Sequence, residues 1–474
     1  MTPSNLEIHI RAQEGELPLS KTLLLASLVF LGAFVLNQAV GVWALQRAPL
    51  LDDAVDYFER GVQLWRGLDD GRAHYWPPGG PFVLRAFFNV FGAADVASTQ
   101  TFMAVLSALT STGVFLAALV LTTPRVAGLA VLLYALSPTT LWMARQTESH
   151  TFCAFWVALA ALCAAIYIRR GYRAAYLLSA LGVGALVLTR PGSALLLAPV
   201  LALPVVLGAM ARQRVERRAR RLLKSLMMSL LAVAIVAGML WPVLQYNHNR
   251  GAGWALSTNN ERNFFLGNNP YTHPYKTGHM AWRSLGDLPT EEQSYLRAHY
   301  ASPDPRQAML QSSWTYIRQE PLAFGVRCIN RFVNFWTFDY EQGRRLQIHL
   351  AVHGWVSWLP MLLQAAFSFL LIWSLALGLP ALFGTGYQPL VLGVVAVCLL
   401  YQLPHVLAFS SPVYRAGLAP LISLLAAAGI MAMWRTRQAP VGTPMAVSRV
   451  YVLSSTVFLV TINAQAAYYL VKLR

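Results

Sequence analysis

The sequence predicts an all-α polytopic membrane protein, and three observations carry that reading. Of its 474 residues, 56% are hydrophobic and only 12% charged, and the mean hydropathy is +0.47. The apolar residues come in repeated runs of about twenty, the length a bilayer core requires of a helix. Basic residues gather in the short stretches between runs, most densely in Arg212-Gln-Arg-Val-Glu-Arg-Arg-Ala-Arg-Arg-Leu-Leu-Lys224.

About eleven transmembrane helices follow, expected at roughly 22–46, 98–121, 126–143, 150–168, 174–189, 193–210, 225–246, 352–379, 386–408, 416–434 and 447–470. Glu7, Glu14 and Glu16 precede the first run, which lacks a small-residue cleavage motif, so it reads as a retained span. With Arg212–Lys224 in the cytoplasm, the count also brings Arg169, Arg170, Arg173, Arg435 and Arg437 inside, as the positive-inside rule asks. It then places 47–97, 247–351 and the turns near Glu148, Arg190 and 405–415 outside. Three regions result: 1–246, a membrane module that includes the first outer loop; 247–351, a loop cap with helices along the interface; and 352–474, the last spans. Residues 436–446 read as a linker, and no internal repeat is found.

The formal net charge of +17 sits in loops between spans, which argues against a nucleic-acid partner. Cys153, Cys163, Cys328 and Cys398 are widely spaced and read as small hydrophobes rather than a disulfide or metal pattern.

The acids are informative by where they fall. A carboxylate in mid-bilayer costs about 2.5–3.5 kcal/mol on insertion scales and marks ion pathways. None of the twenty Asp and Glu lies in a candidate span, which disfavours a proton- or sodium-coupled carrier. Six of the twenty lie between Asp52 and Asp70, directly after the first span. Asp53, Tyr57, Gly61, Leu64 and Gly67 recur at helical spacing, so they share one side of a short surface helix beginning near Asp52. Asp52 itself reads as the helix cap. His74-Tyr-Trp-Pro-Pro-Gly-Gly-Pro-Phe82 then makes a rigid interfacial turn.

Several stretches together resemble the C-type (GT-C) membrane glycosyltransferases, the group of protein O-mannosyltransferases and the lipid A aminoarabinose transferase. Asp53, Tyr57, Gly61, Leu64 and Gly67, then Pro77-Pro78-Gly79-Gly80-Pro81, are similar to that family's first outer loop, with Gly61 for Ala and Gly80 for Tyr. Ser137-Pro138 with Glu148, Leu188-Thr-Arg-Pro191, and Ser257-Thr-Asn-Asn-Glu-Arg-Asn-Phe-Phe-Leu-Gly-Asn-Asn-Pro270 are similar to later motifs. So are His405 and Ser411-Pro-Val-Tyr-Arg-Ala-Gly-Leu-Ala-Pro420, where Val413 replaces an Arg. Ala54 stands where many members carry Glu, and Asn260-Glu261 replaces a glycine pair; both leave subfamily and acceptor open.

The resemblance implies a GT-C fold in a bacterial inner membrane, with the active site facing the periplasm. It implies a polyprenyl-phosphate sugar as donor, and transfer with inversion to a hydroxyl of a lipid, glycan or protein acceptor. Asp53 is then the expected general base and Glu148 its partner or an acceptor-orienting group. Arg415, followed by Arg190 and Arg262, is the expected phosphate ligand, with His405 assisting; Arg190 reads equally as a snorkelling interfacial arginine. Tyr57, Asn259, Asn268 and Asn269 are expected at the sugar or acceptor, although Asn-Asn-Pro is also common turn chemistry. No cofactor is required; a divalent metal on Glu148, His150 and His273 is left open by scattered ligands without fixed spacing. Two alternatives stand beside this reading, a non-catalytic lipid flippase or carrier, and an O-antigen-ligase-type transferase with a pyrophosphate donor.

Overall fold

The computed structural model describes residues 17–44, 49–210, 215–272, 289–340, 343, 345, 358–383, 388–437, 454–461, 463 and 464. Every regular element among them is helical. The chain runs α1 (Leu19–Ala39), α2 (Asp53–Trp65), α3 (Gly79–Phe91), α4 (Val96–Leu121), α5 (Pro124–Ala135), α6 (Pro138–Met143), α7 (Ser149–Arg170), α8 (Arg173–Thr189), α9 (Leu197–Met210) and α10 (Val215–His248). It continues through α11 (Asn260–Gly267), α12 (Thr290–Tyr300), α13 (Pro305–Gln319), α14 (Pro321–Phe335), α15 (Leu359–Phe383), α16 (Gln388–Leu407) and α17 (Ala419–Arg437).

The expected integral membrane protein is found. Eight helical stretches among the described residues are long and apolar enough to cross a membrane: Leu19–Val42, Val96–Leu121, Ser149–Arg170, Pro191–Ala209, Ala219–His248, Leu359–Pro380, Gln388–Leu407 and Pro412–Arg435. Arg173–Thr189 is apolar but shorter. The span expected at 126–143 is instead two helices, α5 and α6, broken at Ser137-Pro138. Ser137 caps α6 by accepting from Thr140 N, and Pro138 occupies its first turn, where a missing N–H costs nothing. Most of the span expected at 447–470, and linker residues 438–446, lie outside the described residues.

The bundle centres on α4, α7 and α17. α4 packs on α1, α5 and α7; α7 packs on α8; and α17 packs on α15 and α5. Val114, Tyr134, Val157, Leu186, Leu418 and Ile422 belong to one buried cluster. The α15–α17 crossing is close because Gly378 faces Gly429, with no room for a Cβ on either, the small-residue contact typical of membrane helices. Leu24, Leu28, Leu31 and Val35 of α1 are exposed, as a lipid-facing stripe requires.

What matters for function is how α2 and α3 are fixed. They pack side by side, and α3 also rests on α8. Gly79 allows that second contact, since a Cβ there would stand 2.5 Å from Thr189 Oγ1 and 2.6 Å from the Thr189 amide. Backbone cannot retreat as a flexible side chain can. Gly79→Ala is therefore expected to destabilise the protein by about 1–3 kcal/mol, read as a lower unfolding midpoint in detergent. An unchanged midpoint would mean that α3 has slack. Gly80 lies against Tyr57 and Phe152, its absent Cβ 3.0 Å from the Tyr57 ring.

Candidate active site

The first carboxylates sit at a distorted helix start. Asp52 has φ 49° and ψ −125°, the one non-glycine positive φ among the described residues. That conformation is costly for a side chain with a Cβ, so surrounding contacts must hold it. The expected cap is absent: the Asp52 side chain makes no capping hydrogen bond, and its Oδ2 instead meets Arg345 Nη2 at 2.9 Å. α2 buries Ala54, Tyr57 and Gly61, and Asp53 flanks that face, partly buried.

The turn between α6 and α7 is laced to the start of α2. Gln146 Oε1 accepts from Leu51 N at 3.0 Å, Gln146 Nε2 donates to Pro49 O at 3.1 Å, and the Thr147 hydroxyl donates to Ala54 O. This brings in Glu148, which precedes α7. Its Oε1 lies 3.2 Å from Arg345 Nη1, and its Oε2 lies 3.7 Å from His150 Nε2. One guanidinium thus bridges Asp52 and Glu148, carboxylates 96 residues apart by their numbers.

Arg190 enters from the end of α8, where φ −147° and ψ 97° turn the chain out of the helix. Its Nη2 donates to Ser149 Oγ at 3.0 Å and lies 3.4 Å from His150 Nδ1, and its Cζ stands 4.8 Å over the Tyr414 ring. The Tyr401 hydroxyl is a further neighbour of the same guanidinium. His405 stacks on the same Tyr414 ring, with centroids 4.5 Å apart.

Burial raises the Asp53 carboxyl to about 6; the neighbouring Asp56 and Asp52 push the same way, and Arg345 and Arg190 oppose them. A carboxylate in that range takes up a proton near neutrality, as a general base must. Burial also raises the Tyr57 phenol, which stays protonated. Trp76 closes this side, its ring 5.8 Å from Tyr57 and its Nε1 donating to Asp56 Oδ2 at 3.1 Å.

Asp53, Tyr57, Glu148, His150, Arg190 and, through Tyr414, His405 therefore converge. Arg262 lies at the rim, donating to the Tyr75 hydroxyl and, through Nε at 3.2 Å, to Tyr300. Arg415 does something else. Its Nη1 donates to Phe335 O and Thr337 O, each at 2.8 Å, and Asp339 supplies the opposing charge. The Arg415 Nη2 lies 3.5 Å from Ser368 Oγ, so in this structure the guanidinium expected first at the phosphate braces the main chain where α14 ends.

The loop asparagines likewise hold backbone. Asn268 Nδ2 donates to Phe264 O and Leu407 O, Asn269 Nδ2 donates to Phe265 O and Leu266 O, and Asn269 Oδ1 accepts from Tyr271 N. Asn259 is buried at the start of α11 and accepts from Asn263 Nδ2 at 3.4 Å. The contacts of Asn268 and Asn269 are the turn contacts that an Asn-Asn-Pro sequence favours. For the metal, no group of three His, Cys, Asp or Glu among the described residues has the geometry to hold one. Glu148 faces a guanidinium, and His273 lies outside the described residues.

Sequence reasoning missed Arg345, Trp76 and Tyr414 as site residues. A signal for Arg345 was present: Arg344-Arg345 is a basic pair in a segment counted as external, where the positive-inside rule expects few.

The fold and this cluster define an integral membrane protein with a carboxylate-guanidinium site at one end of its helical bundle. Residues 76–244 match the family model of dolichyl-phosphate-mannose-protein mannosyltransferases, which bears out the resemblance to C-type glycosyltransferases. No curated protein matches the chain. Among solved structures it is similar to the Archaeoglobus fulgidus oligosaccharyltransferase tethered with an acceptor peptide, at 12% identity and TM-score 0.39, over 93% of this chain and 55% of that one. The chain thus spans about half the length of that protein.

Proposed function

We propose that the protein is a membrane glycosyltransferase that moves a sugar from a polyprenyl-phosphate carrier to an acceptor hydroxyl, with its site on the extracytoplasmic face of a bacterial inner membrane. The observation that carries this reading is the cluster in which Arg345 bridges Asp52 and Glu148 and Arg190 bonds Ser149, with Asp53 under the charge of both guanidinium groups. The family match over residues 76–244 supports the same reaction class.

Asp53 accepts the acceptor's hydroxyl proton while that oxygen attacks the anomeric carbon. The bond between that carbon and the phosphate oxygen breaks, and its electron pair leaves with the carrier phosphate. One displacement inverts the anomeric centre. The departing phosphate needs positive charge rather than an acid, and Arg190, whose contacts with Ser149, His150 and Tyr414 are to neutral groups, supplies it. Arg345 holds Glu148 and the strained Asp52 in place through two ion pairs, neither of which involves Asp53.

The test is transfer by purified protein in vesicles supplied with polyprenyl-monophosphate or polyprenyl-pyrophosphate sugars and a hydroxyl acceptor. Product from the monophosphate donor is expected. Product from the pyrophosphate donor alone would favour the ligase-type reaction, and carrier translocation without product would favour a flippase.

A further inference from the structure

The turn over the acids, His74–Pro78, is held mainly by residues that the proposed chemistry does not use. The holding residue is Asn247, the last but one of α10 and fully buried. Its Oδ1 accepts from His74 N at 2.8 Å, while its Nδ2 donates to Ala255 O at 2.7 Å. One amide therefore ties together the first connecting loop, the end of a membrane helix and the start of the next long segment. His74 O accepts from Thr258 N at 2.9 Å, and the His74 ring stacks on Tyr246 at 4.6 Å. Burial depresses His74 to about 4, so the ring is neutral and the tie does not depend on its charge near neutral pH.

Two residues further on, Trp76 is bonded to Asp56 and lies against Tyr57 on α2. The path from Asn247 to the acid-bearing helix is thus three residues of a proline-stiffened turn. We infer that Asn247 is a positioning residue for Asp53: by pinning His74 it holds Trp76 and Tyr75 over α2 and keeps water away from the Asp53 carboxyl. The inference rests on the reading of Asp53 as the base, but it concerns only that carboxyl's surroundings. The charged or titratable groups facing Asp53 are Asp52 and Asp56 on its own element, Tyr57 and Tyr75, Arg190 from the end of α8, and Arg345. Asn247 carries no charge and bonds none of these groups directly, so its removal reaches Asp53 only through the loosened turn.

The experiment follows the reaction of Asp53 with dicyclohexylcarbodiimide against pH in the full-length protein in detergent, read by peptide mass spectrometry. This reagent attacks protonated carboxyls, and the assay needs no donor. In the unmodified chain the midpoint is expected near 6. In Asn247→Ala it should fall by about one pH unit toward the ordinary carboxylate range. Tyr246→Leu, which removes the ring stacked on His74 and leaves the groups facing Asp53 unchanged, should move it the same way and decides the matter if Asn247→Ala does not fold. An unchanged midpoint in the folded variant overturns the inference. Loss of transfer in Asp53→Asn with no midpoint shift in Asn247→Ala leaves the base standing and removes the latch; a midpoint shift with full transfer in Asp53→Asn does the reverse.

Discussion

Asp53→Asn abolishes sugar transfer while the protein still inserts and folds: this is the largest effect expected of any single change. The amide is nearly isosteric, Asp53 is only partly buried, and it is not needed to hold Arg345, which pairs with Asp52 and Glu148. What is lost is a proton acceptor, and general-base catalysis contributes about 10²–10⁴ in rate. Turnover by purified variant, beside its gel-filtration profile, is the measurement. A folded and active Asp53→Asn enzyme would remove Asp53 from the role. The same residue sets a pH dependence. Its carboxyl is raised to about 6 by burial and by Asp56 and Asp52, and the base works only when ionised. Transfer by the unmodified protein should therefore rise with pH through about 6 and level off above it.

Arg190→Ala should weaken donor binding, with KM for the lipid donor rising roughly a hundredfold. A hydrogen bond to a charged group is worth about 1.5–3 kcal/mol, and a guanidinium offers a phosphate two of them in parallel. Arg190→Lys keeps the charge without the fork and should recover only part of the loss. A second readout distinguishes this from misfolding. Arg190 lowers the Asp53 carboxyl, so removing it should move the low-pH limb of activity upward. If donor affinity and that limb both stay put, another group holds the phosphate.

The membrane helices and α2 were legible because their signals are local. A run of twenty apolar residues has few other fates, and Asp53, Tyr57 and Gly61 share a helical period. The break at Ser137-Pro138 was written in the chain as a cap followed by a first-turn proline, but a hydropathy average over the stretch hides it. Glu148 and Arg190 were legible as polar residues at span ends. Their joining through Ser149 and His150 was not, since that requires knowing which helix ends meet. Arg415 shows the opposite limit. Its position at a span end reads as a ligand's, and only the fold reveals that its Nη1 is held by the carbonyls of Phe335 and Thr337.

Those two carbonyls lie where the helical ladder of α14 runs out, at its last residue and just beyond it, and both residues are buried. In a cytosolic protein such oxygens would be hydrated. Here a side chain takes the part of solvent, and a guanidinium suits it because its donors fan out in one plane and its charge survives desolvation. The peptide at and beyond the end of α14 can thereby stay buried beside Pro412–Leu418 with its carbonyls satisfied by a side chain.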